Sequence, residues 1–97
     1  MIETIPGVTT IGGIPFDDVT YDREGDVLYL WQGAPRPPAS DAESPEGHYL
    51  QFGADGDLIA LTIVNARRLL DRDGRIAVTL PDGSRIEAML GFSLTAA

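Results

Sequence analysis

Between Asp57 and Asn65 run the residues Leu-Ile-Ala-Leu-Thr-Ile-Val, with apolar side chains at odd and even positions alike. Neighbours in extended backbone point to opposite faces, so Leu58, Ala60 and Val64 line one side and Ile59, Leu61 and Ile63 the other. A strand that is apolar on both sides needs cover on both sides. The chain has 97 residues and no cysteine, so neither a second large domain nor a disulfide is available to supply that cover. It reads as a single domain, residues 1–97, whose stability rests on packing, within the chain or against a second copy.

The rest of the chain reads as strands punctuated by turns. Val19 to Asp22 and Val27 to Gln32 flank the turn Asp22-Arg23-Glu24-Gly25, and in the second strand Val27, Tyr29 and Trp31 face away from Leu28 and Leu30. His48 to Phe52 and Leu58 to Val64 flank Asp55-Gly56, a strong hairpin signal that predicts a type I′ turn. Arg75 to Leu80 and Ser84 to Leu90 flank Pro81-Asp82-Gly83. Asn65 is placed to cap a short helix near residues 65–71, and Val8 to Ile11 adds an edge strand. Residues 33–46 hold Pro35, Pro37, Pro38 and Pro45 and no large apolar side chain, which predicts a mobile loop; Ser93 to Ala97 reads as a loose tail. The expected fold is mainly β (α+β): an antiparallel sheet of about six strands built from hairpins, with one short helix. Such a helix cannot cover both faces of the sheet, so either the sheet curls into a barrel or a second subunit covers the exposed face, and the homodimer is the favoured expectation.

Net charge is −8, and all seven cations are arginines. Residues 17–57 carry ten acids against Arg23 and Arg36, whereas residues 58–97 carry four acids against five arginines. An acidic surface repels nucleic acid and anionic membranes and suits a basic protein partner. Arg67, Arg68, Arg72 and Arg75 are expected to pair with acids of the first hairpins, within a chain or across a dimer. Met1 to Pro15 lacks the basic start and long apolar run of a signal peptide, and no apolar stretch is long enough to span a bilayer, so the expected location is cytoplasmic.

No catalytic or metal constellation emerges. His48 is the lone histidine and reads as a part-buried strand residue on the Leu50/Phe52 face. The spacing of Asp22, Glu24 and Asp26 resembles the start of a calcium loop, but the twelfth position is Gly33 instead of a bidentate glutamate. An acid–base pair at Asp22 with Glu24 or Asp26 would need an apolar cleft that a turn does not offer. The reading is therefore a non-enzyme without cofactor or metal. Its function is that of an acidic interaction module, a homodimer that binds another protein, with binding residues Asp22, Glu24, Asp26, Tyr29 and Trp31. The alternative is a small-ligand domain with a cleft lined by Tyr29, Trp31, Tyr49 and Phe52.

The run Tyr21-Asp22-Arg23-Glu24-Gly25-Asp26-Val27-Leu28-Tyr29-Leu30 resembles the opening of the domain-of-unknown-function family 2283, small bacterial and archaeal proteins that share a Tyr-Asp-x-x-x-Asp-x-Leu-Tyr pattern. Asp55 to Ala66 is similar to that family's second signature, an Asp-Gly turn leading into an apolar strand and a short helix. The family pattern has Gly-Ile-Glu-Ile where this chain has Ala60-Leu61-Thr62-Ile63. The resemblance implies a fold and carries no active site. The spacing itself has a structural account, in which Asp22 and Asp26 accept hydrogen bonds from free amides of the turn between them.

Overall fold

The computed structural model describes residues 2–34 and 36–88. In chain order the described residues form β1 (Ile2–Ile5), β2 (Thr9–Ile11), β3 (Ile14–Phe16), β4 (Asp18–Asp22), β5 (Val27–Trp31), β6 (Ser40–Glu43), β7 (Tyr49–Phe52), β8 (Leu58–Val64), α1 (Ala66–Asp73), β9 (Ile76–Thr79) and β10 (Arg85–Ala88). Six strands make one antiparallel sheet in the order β1-β4-β5-β8-β7-β6, while β2–β3 and β9–β10 are separate ribbons. The chain is mainly β with one short helix, as its pattern predicts.

Three hairpin loops share one construction: Ser44–His48, Gly53–Asp57 and Leu80–Ser84. In each, the first amide donates to the fifth carbonyl (2.7, 2.9 and 2.7 Å) and the fourth amide to the first carbonyl (2.9, 3.0 and 2.9 Å). The fourth residue is Gly47, Gly56 or Gly83, at φ 91°, 87° and 90°, a backbone region that disfavours any side chain. This corrects the type I′ expectation at Asp55-Gly56, because Asp55 does not share the positive φ of Gly56. The two-residue turn with both φ positive is Gly12-Gly13, at 59° and 81°, which joins β2 to β3. Val8 to Ile11 is accordingly no edge of the main sheet; Thr9–Ile11 pairs with Ile14–Phe16, and the edges are β1 and β6.

The stretch 33–46, expected to be loop throughout, contains β6, which pairs with β7 from Ser40↔Phe52 to Glu43↔Tyr49. An edge strand needs backbone partners on one side only and no apolar side chains, so the absence of large residues there does not prevent pairing. The expected loose tail, Ser93 to Ala97, lies outside the described residues, as do Met89 and Leu90.

One face of the sheet is roofed. Val19, Tyr21, Leu28, Leu30, Leu50, Leu61 and Ile63 pack in one cluster with Ile11 and Phe16 of the β2–β3 ribbon, Ala66 of α1, and Ile76, Val78 and Ala88 of the β9–β10 ribbon. β8 sits between β5 and β7. Its Leu58 to Leu61 and Ile63 are buried, while Thr62 and Val64 are half-buried. Cover is therefore complete on one side of β8 and partial on the other.

Candidate functional site

The register fixes what the uncovered face presents. One row runs across five strands as Thr20–Tyr29–Thr62–Tyr49–Glu43, a second as Asp18–Trp31–Ala60–Gln51–Asp41, and a third as Asp22–Val27–Val64. Tyr29 is 37% and Tyr49 50% exposed, while Trp31, Val27 and Val64 are half-buried by their neighbours. The centre of the face, on β5, β8 and β7, is thus neutral and aromatic. Acids stand on either flank, Asp18 and Asp22 on β4 and Asp41 and Glu43 on β6, and none of the strand positions on this face is basic. Toward the β6 flank a cavity of about 550 Å³ opens between Asp41, Glu43, Tyr49, Gln51 and Thr62.

Of the expected site residues, the structure brings Tyr29 and Trp31 together on this face and adds Tyr49. Phe52 lies on the other side, against the core cluster, because it shares the parity of Leu50. The expected four-sided aromatic cleft is thereby reduced to three residues of one sheet surface. Thr62 stands between the two tyrosines.

Asp22, Glu24 and Asp26 are not gathered into one binding surface. Asp22 Oδ1 accepts the amides of Glu24 (3.1 Å) and Gly25 (3.3 Å), which is the turn role that the spacing predicts. Asp26 departs from that prediction. Its carboxylate accepts the Tyr21 hydroxyl at 2.7 Å and the amides of Arg67 and Arg68 at 2.8 and 3.2 Å, and its carbonyl accepts the amide of Ala66 at 3.1 Å. Asp26 therefore caps α1. Asn65, the expected cap, sits at φ 59° and makes no side-chain capping bond. Burial opposes ionisation of Asp26, but the Tyr21 hydroxyl and the two helix amides outweigh it and hold the carboxyl below its ordinary range. Burial together with the same carboxylate pushes the Tyr21 phenol up to about 12.

Of Arg67, Arg68, Arg72 and Arg75, three have an acid of α1 or β10 beside them, and Arg67 and Arg68 meet the hairpin acid Asp26 through their backbone amides. Arg67 lies 3.7 Å from Asp71, Arg72 2.8 Å from Asp73 and Arg75 3.4 Å from Glu87. Such exposed pairs contribute little to stability.

The β6–β7 turn is clasped more tightly than the sequence suggests. Ser44 Oγ accepts the His48 amide at 3.1 Å, and both residues are buried. Glu46 reaches the β9–β10 ribbon, accepting the Thr79 amide at 3.0 Å and the Thr79 hydroxyl at 2.6 Å. Burial works against that carboxylate, yet these donors bring it down to about 2. His48, 1% exposed, accepts the Val64 amide on Nδ1 at 3.1 Å. The signal for this clasp was present in the sequence: Ser-Pro-Glu-Gly-His matches the pattern of Leu-Pro-Asp-Gly-Ser at 80–84.

No helix among the described residues is long and apolar enough to cross a membrane. A family model described as "Protein of unknown function (DUF2283)" matches residues 18–67, from β4 to the first turn of α1. No curated protein and no solved structure matches the chain.

Proposed function

The chain belongs to the DUF2283 family of proteins of unknown function, and we propose that it is an interaction module whose uncovered sheet face docks another protein. The observation that carries this reading is the row Tyr29–Thr62–Tyr49, bordered by Trp31, Val27 and Val64, standing without cover while the centre of the opposite face is buried under α1 and the two ribbons. Aromatic side chains around a neutral centre, with charge kept to the margins, match the composition of docking surfaces.

The partner is one that brings arginine or lysine on either side of an apolar segment. The flanks Asp18/Asp22 and Asp41/Glu43 attract cations, and the cavity beside Tyr49 has room for a basic side chain against the ring. A second copy of the chain is the competing occupant. Stacked face to face, two copies would bring acidic flank over acidic flank, so the charge pattern fits a basic partner better.

Trp31 is the only tryptophan and lies on the face itself, so its fluorescence reads occupancy directly. A peptide alternating valine and arginine is expected to shift Trp31 emission to shorter wavelength, and to do so less at high salt; the valine–glutamate counterpart leaves it unchanged. Thr62→Lys, which puts a cation in the aromatic row, abolishes the response with the melting profile retained. Equal response to both peptides defeats the basic-partner reading. A light-scattering mass of two chains with Trp31 already shielded makes the occupant a second copy.

A further inference from the structure

We propose that His48 makes the docking face pH-sensitive: protonating its ring releases the start of β7 from the end of β8 and takes Tyr49 out of the aromatic row. The inference rests on the docking reading for its functional meaning and on hydrogen-bond geometry for its physics. Because Nδ1 accepts the Val64 amide, that nitrogen carries no proton, and the ring is the Nε2–H tautomer. Nε2 is buried without a partner, and the ring as a whole is 1% exposed.

A second proton has one place to go, the lone pair on Nδ1, where it would meet the hydrogen of Val64. Protonation thus exchanges a hydrogen bond for two opposed N–H groups and buries a cation. Ser44 and Val64, the hydrogen-bonding neighbours brought by the turn and β8, are uncharged. Among the described residues, Glu46 is the charged group that acts on the ring; it favours the cation, but its carboxylate is committed to Thr79. Burial prevails and holds the imidazole below its ordinary value.

The link to the docking face is one residue long. The last β7–β8 pair at this end is Tyr49↔Thr62, and Val64 lies just beyond it. The His48 ring therefore finishes the ladder where no backbone carbonyl does. With that bond gone, the ladder frays first at Tyr49, which forms one wall of the cavity and one end of the Tyr29–Thr62–Tyr49 row.

The test is an NMR titration from pH 7.5 to 5.0 of the whole chain and of His48→Asn, in which Oδ1 stands near the Nδ1 position and cannot take up the proton. In the unaltered chain the Val64 and Tyr49 amides are expected to shift together with protonation of the His48 ring. Affinity for the valine–arginine peptide falls over the same range, by at most about tenfold per pH unit for a single proton. His48→Asn is expected to hold both amides and the affinity flat. The proposal is overturned if the ring gains its proton without moving Val64 and Tyr49, if it stays neutral to pH 5.0, or if peptide affinity ignores the transition. Failure of the peptide to bind at every pH removes the docking reading and with it the functional meaning of the switch, while the Val64 amide still reports whether the ladder opens.

Discussion

Asp26 and His48 hold matching places in the sheet. One precedes β5 and the other precedes β7, the two strands that flank β8, and both use a side chain to finish the backbone where β8 ends. Asp26 takes the amides of Arg67 and Arg68 while its carbonyl takes that of Ala66; His48 takes the amide of Val64. Asp26 is an anion with three donors on its carboxylate, so ionisation strengthens the joint. His48 is a neutral base with one nitrogen occupied and one orphaned, so ionisation breaks it. Similar geometry thus gives a permanent joint on one side and a conditional one on the other.

The largest expected effect comes from removing the permanent joint. Asp26→Ala strips the helix cap and the acceptor of the Tyr21 hydroxyl, for a loss of about 2–4 kcal/mol in urea unfolding. A loss below 0.5 kcal/mol, on the order of measurement error, would mean that water serves these donors equally well. His48→Phe, which keeps the bulk and orphans the Val64 amide, is expected to cost about 1–2 kcal/mol at pH 7.5. If it proves as damaging as Asp26→Ala, the proposed ranking of the two joints is wrong.

Acid separates them by the pH at which each gives way. His48 is held neutral in the fold, so the unfolded chain takes up the proton first; this part of the stability is full above the ordinary imidazole value of 6.5 and declines as pH falls below it. Asp26 is held ionised, so its share persists until pH falls through the ordinary carboxyl value of 3.8 and is lost in stronger acid. Glu46, brought down to about 2 from 4.5, likewise holds until pH drops below 4.5. Denaturant midpoints measured at pH 7.5, 5.5 and 3 should show two separate steps in the unaltered chain and only the more acidic one in His48→Asn. Tyr21→Phe, which removes one donor from Asp26, is expected to cost about 1 kcal/mol. Smallest is Asn65→Gly: with φ 59° and no side-chain capping bond to lose, its melting point should change by no more than about 0.5 kcal/mol implies.

The hairpins β4–β5, β7–β8 and β9–β10 were legible because alternation and turn chemistry lie within a few residues of each other. The two-sided character of Leu58 to Val64 placed β8 inside the sheet correctly. Its second side, however, is only half covered in the single chain, and the homodimer inferred from it stands as an expectation. β6 was hidden because proline content and the lack of apolar residues suggest a loop, although Ser44-Pro45-Glu46-Gly47-His48 carried the same turn chemistry as residues 80–84. Gly12-Gly13 lacks the alternation that marks a hairpin, and its role as a tight turn rests on two positive φ values. Asp26 was picked out by its spacing, but its role was not, because the amides it accepts belong to residues 41 and 42 positions further on. The flanked aromatic face was half legible: Tyr29 and Trp31 followed from period two, while the acids beside them needed the strand order.

The cap of α1 comes from the other end of the family-matched region, and this has a consequence for the order of assembly. An eight-residue helix is too short to persist in water unaided, and its entry residue, in a left-handed conformation, contributes no side-chain cap. Its first amides find their acceptor only when β5 has already zipped against β8. The helix is therefore a late product of the sheet and cannot seed it, and a peptide of residues 58–74 cut from the chain should be a coil.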